Sequence, residues 1–158
     1  MSDLEPIRRS VTVRLEPTRA FDLFTAEIGS WWPLDRFSRA VSEFEGEGVK
    51  VERVEFEPRA GGRVREHLSN GEVLPWAEIL VWEPPSRVVL AWKPHPRPQP
   101  PTEVEVRFTS TDEGTRVDLE HRGWERLGAD VDIAAARRSY AQGWVGTLER
   151  FAQAAAGR

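Results

Sequence analysis

Apolar residues recur at helical spacing over one long stretch, 130–155, in which Ile133, Tyr140, Trp144, Leu148 and Phe151 are separated by seven, four, four and three positions. At 3.6 residues per turn they share one stripe, and Arg138, Gln142 and Glu149 fall opposite, so a helix is predicted that packs one face only. Asp130 is the expected N-cap, with Asp132 adding negative charge to the first turn, Arg150 near the end and Gly157 as the stop. Gly143 and Gly146 interrupt it. Each costs about 1 kcal/mol relative to Ala inside a helix, so a neighbour or a ligand comes close there or the helix bends; close packing is the expected cause.

The rest of the chain alternates. In 7–15, Ile7, Val11, Val13 and Leu15 oppose Arg8, Ser10, Thr12 and Arg14, the signature of a half-buried strand. Pro17 suits the first turn of a helix whose face is Phe21, Phe24 and Ile28 and which Gly29 ends. Trp31 and Trp32 follow directly, and either at least one covers an opening or both are ordinary core plugs. The stretch 36–48 has no clean period and reads as a loop or a short irregular helix. Val49 and Val51, then Val54 and Phe56, change parity across Glu52 and Arg53, which predicts a bulged strand.

Next, Val64, Glu66 and Leu68 share a face against Arg63, Arg65 and His67, and a Ser69–Asn70–Gly71 turn leads into 72–82. There, strict alternation groups Trp76, Glu78, Leu80 and Trp82 on the inner face. Val88, Leu90 and Trp92 with Val89 and Ala91 form a strand apolar on both faces, hence central. Residues 93–101 hold five prolines and read as a polyproline II connector. The last two strands put Val104, Val106 and Phe108, then Val117, Leu119 and His121, inward. The order is one strand, one or two short helices, about six antiparallel strands and a long helix. An antiparallel sheet with one apolar face curves, and the last helix is the only one long enough to fill the concave side.

Composition narrows the function. The 158 residues are 39% hydrophobic and 30% charged, which fits one domain spanning 1–158 with its own core. Cysteine is absent, excluding thiol catalysis and thiolate metal sites. No apolar run reaches membrane-span length and no leader precedes the first strand, so a soluble cytoplasmic protein is expected. A net charge of -4 argues against a nucleic-acid partner. Seven Trp against one Tyr is a set of large flat rings suited to lining an apolar pocket.

Inward polar groups are few: Glu66, Glu78 and His121, with Tyr140 on the long helix. A carboxylate in an apolar pocket beside a histidine could exchange protons with a ligand. The plainer alternative, and the one favoured, pairs the carboxylate with an arginine and the histidine with backbone, because no nucleophile, base and orienting group occur together. His67, His95 and His121 lie in different elements, so no metal site is expected. No phosphate-binding glycine loop is present, and no cofactor is expected.

At this point the residues carry a resemblance. FDLFTAEIGSWWP at 21–33, GGRVRE at 61–66, the turn with WAEILVWEPPSRVVLAW at 70–92, HRGW at 121–124 and YAQGW at 140–144 resemble, in that order, the START-like helix-grip superfamily (SRPBCC). Within it they are similar to the branch of the C-terminal domain of activators of heat-shock protein 90 ATPase, which is polyketide cyclase-like. The resemblance implies an α+β helix-grip fold, a curved antiparallel sheet of six to seven strands around the C-terminal helix.

It hosts several functions, so three are carried. The first is binding of a small hydrophobic or aromatic molecule in a cavity walled by Trp76, Trp92, Trp124, Tyr140 and Trp144, with Glu66, Glu78 and His121 inside and a lid near Trp31 and Trp32. The second is a cyclase, isomerase or hydrolase using Glu66, Glu78 or His121 on such a ligand; a non-enzymatic role is favoured over it. The third is a chaperone-interacting module, disfavoured because the additional N-terminal domain of full-length activators is not expected here. A homodimer contact stays open.

Overall fold

The computed structural model describes residues 4–93, 100–128 and 131–158, without the side chain of Ser42. Along the chain come β1 (Ile7–Val13), α1 (Pro17–Phe24), a 3-10 turn at Ile28–Ser30, α2 (Arg39–Glu43), β2 (Val51–Phe56), β3 (Arg63–Leu68) and β4 (Val73–Glu83). Then follow β5 (Arg87–Trp92), β6 (Thr102–Thr111), β7 (Gly114–Arg122), a second 3-10 turn at Trp124–Arg126 and α3 (Ile133–Ala156). All seven strands form one antiparallel sheet in the order β1-β7-β6-β5-β4-β3-β2. The sheet is curled into a half-barrel around α3, the helix-grip architecture expected from the sequence.

β5 lies at the middle of that order, and its Val88, Val89, Leu90 and Trp92 are buried, as a strand apolar on both faces requires. β6 and β7 follow simple alternation, burying Val104, Val106 and Phe108, then Val117, Leu119 and His121. Their outer faces are crossed by ion pairs, such as those of Arg122 with Glu103, Glu105 and Glu120.

Bulges bend the other half of the sheet. One lies at the expected parity change, between Val51 and Arg53. Two more fall on β4. Val64 pairs with Ala77 but Arg65 with Pro75, and Leu90 pairs with Ile79 but Val89 with Val81, so β4 twice uses two residues against one. Each extra residue reverses the side-chain parity that follows it, and this overturns the predicted β4 face. Trp76, Ala77 and Ile79 are buried, whereas Glu78 and Leu80 are exposed.

The helices are shorter or start later than the pattern implies. α1 stops at Phe24, where the hydroxyl of Thr25 donates to the carbonyl of Phe21 at 2.7 Å, and Ile28 sits in the separate 3-10 turn. The aperiodic 36–48 stretch contains α2, which Ser38 caps by accepting from the amide of Val41 at 3.2 Å. Asp132 caps α3, accepting from the amide of Ala135 at 3.0 Å, and Gly157 follows the last turn. Asp130 lies outside the described residues, as do Pro94, Pro96 and Pro98 of the polyproline connector and His95. Among the described residues no helix is long and apolar enough to cross a membrane.

Candidate functional site

Three strand ends and α3 converge on His121. Thr102 pairs with Trp92 across β5 and β6, and Val104 pairs with His121 across β6 and β7, which sets Trp92, Thr102 and His121 side by side. Trp124 follows just after β7, and α3 contributes Tyr140 and Trp144, one turn apart. The imidazole of His121 lies 4.3 Å from the indole of Trp124 and 4.8 Å from the ring of Tyr140, centre to centre.

His121 is 0% exposed and both ring nitrogens are engaged. Its Nδ1 lies 3.0 Å from the indole nitrogen of Trp144. An indole N–H can only donate, so Nδ1 accepts and the proton sits on Nε2. That N–H faces Oγ1 of Thr102 at 2.8 Å, and the threonine hydroxyl donates onward to the carbonyl of Trp92 at 3.5 Å. Burial lowers the pKa of His121 to about 3, so the ring is neutral through the physiological range. The imidazole thus donates to a side-chain hydroxyl and not to backbone as expected, while the carbonyl of His121 accepts from the indole of Trp124 at 3.1 Å.

Glu66 is also 0% exposed, and it is not paired with a strand arginine. Its carboxylate accepts from the backbone amides of Arg39 at 3.0 Å and Ala40 at 2.7 Å, and from the indole N–H of Trp76. These amides are the first two of α2, orphan donors at a helix start, so the buried carboxyl group is held by three donors and pins α2 against the sheet. Glu78 is absent from this interior because of the β4 bulges.

The tryptophans join the two polar centres. Trp32 touches Trp76, Trp92 and Trp144 at centroid distances of 5.2, 5.8 and 5.7 Å, and Trp92 touches Trp144 at 5.7 Å. These tilted and edge-on contacts are each worth about 0.5–1.5 kcal/mol beyond burial. Trp31 packs on the far side against Phe24 and Phe151, its N–H donating to the carbonyl of Leu23 at 2.7 Å. Both Trp31 and Trp32 are buried, in keeping with the core-plug alternative to a lid. Trp32 spends its N–H on the carbonyl of Phe37 at 2.7 Å, fixing the turn before α2.

α3 is gripped unevenly. From Trp144 onward its inward residues Thr147, Leu148, Phe151 and Ala155 are buried, whereas Ile133, Ala136 and Tyr140 in its first half are only partly covered. The Tyr140 hydroxyl accepts from the indole of Trp92 at 3.3 Å, a long bond, and burial raises its pKa. Arg9, missed by the sequence reading, donates from Nη2 to the carbonyl of Ala141 at 3.1 Å and ties this half of the helix to β1. Its place on the same face as Ile7 and Val11 was the available signal.

His67 faces outward, with Nε2 2.9 Å from Glu55, as the alternation predicts. Among the described residues no three His, Cys, Asp or Glu side chains are grouped as metal ligands. A cleft of about 290 Å³ lies beside α3, between Gln142, Gly146, Thr147 and Arg150 on the helix and Pro33, Arg36 and Phe37 in the preceding turn. The close-packing expectation accounts for neither glycine: a Cβ at Gly143 would make ordinary contact with the ring of Phe37 at 3.6 Å, and one at Gly146 meets nothing within 4 Å.

Comparison with known proteins agrees with this architecture. No curated protein gives a sequence match. Among solved structures, MLL2253 of Mesorhizobium loti is 20% identical with TM-score 0.60, the alignment covering 94% of this chain and 95% of that one. CV1439 of Chromobacterium violaceum is 16% identical with TM-score 0.63, covering 94% and 95%. An anthrahydroquino-gamma-pyrone synthase, Txn09, is 28% identical with TM-score 0.59, covering 97% of this chain and 99% of its own. The family model described as Activator of Hsp90 ATPase homolog 1-like protein matches residues 14–156, so the chain belongs to that family.

Proposed function

We propose that the protein binds a small, planar, largely apolar molecule between the sheet and the first half of α3. The observation that carries this reading is the ring cluster of buried Trp92, His121 and Trp124 with Tyr140 beneath the first half of α3, a helix segment whose own residues Ile133, Ala136 and Tyr140 are only half-buried. Ring faces and edges favour an aromatic guest. The 3.3 Å contact between the Trp92 N–H and the Tyr140 hydroxyl can give way to a guest carbonyl, which would accept from both donors. A neutral His121, fixed from two sides, keeps a charge out of the apolar wall.

A second reading, a reaction on such a guest, draws support from the 28% identity to a synthase over nearly the whole of both chains. In it the hydrogen-bond donor would be Tyr140, because the polar atoms of Glu66 and His121 are already engaged. Contact with a chaperone has only the family description behind it.

Titration with anthraquinone, a neutral tricycle, followed by quenching of tryptophan fluorescence tests the first reading. Saturable quenching is expected, weakened about tenfold by Tyr140→Phe, the equivalent of one hydrogen bond of about 1.4 kcal/mol. Absence of saturation, or unchanged affinity in the variant, would end the proposal. Incubation of the protein with a panel of polycyclic metabolites separates binding from reaction, since only the second reading yields product. An unchanged Hsp90 ATPase rate on addition of the protein removes the chaperone reading.

A further inference from the structure

The cleft beside α3 is chemically unlike the aromatic interior. It lies on a neighbouring helix face, along Gln142, Gly146 and Arg150 rather than Tyr140, Trp144 and Phe151. Although the chain carries 26 acidic against 22 basic residues, the cleft is lined by two arginines and no carboxylate. Arg150 spends Nε on the carbonyl of Trp31 at 2.8 Å, which aims its fork; among the described residues its terminal nitrogens have no acceptor, and neither has the guanidinium of Arg36. The hydroxyl of Thr147, a residue only 3% exposed, lines the same cleft and has no hydrogen-bond partner among the described residues.

Phe37, a residue 45% exposed, is held by the Trp32 bond to its carbonyl and by its own amide donating to the carbonyl of Pro33 at 2.8 Å. Gly146 keeps the floor open.

We propose that this cleft is a second binding site, one that takes a small aromatic carboxylate. Planar guanidinium forks match a carboxylate in two-pronged hydrogen bonds, the Thr147 hydroxyl supplies a further donor, and Phe37 stacks on the ring. A volume of about 290 Å³ sits at the lower limit for small-molecule sites and suits one or two rings. The site is independent of the interior, and a guest without a negative charge gains little from it.

The probe is 2-naphthoate, compared with neutral 2-naphthamide by isothermal titration calorimetry. Binding of the carboxylate is expected, with the amide about tenfold weaker or worse. Arg36→Gln, at an exposed position, should weaken 2-naphthoate about fivefold or more. Gly146→Leu should fill the cleft and abolish binding while leaving the thermal midpoint unchanged or higher, because nothing within 4 Å opposes a Cβ there. Tyr140→Phe, in the interior, should leave it unaffected. No binding of 2-naphthoate, wild-type affinity in both cleft variants, or loss only in Tyr140→Phe would each overturn the proposal. Should Gly146→Leu fail to fold, Arg36→Gln and the amide comparison still decide it.

Discussion

Trp144 donates its indole N–H to Nδ1 of His121 across 3.0 Å, linking the gripping helix to the last strand. Because indole cannot accept, that contact selects the imidazole tautomer, and the tautomer dictates what Thr102 receives. A histidine that a sequence offers as a proton donor or acceptor is thereby a neutral crosslink between sheet and helix.

The first prediction concerns acid. The folded His121 titrates near 3, against about 6.5 in an unfolded chain, so between those values only the unfolded chain takes up the proton. The folded state therefore loses stability as pH falls from about 6.5 towards 3, by up to about 1.4 kcal/mol per unit. Urea midpoints between pH 7.5 and 5 should fall for the wild type and fall less steeply for His121→Gln. Parallel slopes would refute the assignment.

Glu66→Gln should cost about 1–3 kcal/mol, because an amide offers one acceptor oxygen where three donors converge and turns its own NH₂ towards them. The loss should show locally as faster hydrogen exchange at Arg39 and Ala40. Exchange unchanged at both amides would mean that α2 is held by something else.

Glu78→Gln is the contrast. On the solvent face of β4 it should alter stability by no more than about 0.5 kcal/mol and leave anthraquinone affinity as it is. A loss of binding would restore Glu78 to the interior and contradict the bulged register.

Two glycines should respond oppositely. Gly146→Ala adds a side chain in open space inside a helix and should stabilise by about 0.5–1 kcal/mol. Gly114→Ala would place a Cβ 2.2 Å from the carbonyl oxygen of Val13, at a φ of +145°, and should destabilise strongly. Thermal midpoints of the pair measure both, and a stable Gly114→Ala would be the surprising outcome.

Local pattern alone determined the strands, the central place of β5, the bulge near Glu52, the long terminal helix and the inward positions of Glu66, His121, Tyr140 and most of the tryptophans, because alternation and helical spacing are properties of neighbours along the chain. Tertiary structure decided what each inward group does. Glu78 left the interior because β4 bulges where its partners β3 and β5 demand it, an event that no period within 72–82 records. Glu66 became a helix clamp and His121 a neutral link because their partners lie 27 and 23 residues away, at Arg39 and Trp144. Gly143 and Gly146 look alike in sequence, yet one carries the ring of Phe37 and the other opens a cleft, since only the packed neighbour tells them apart.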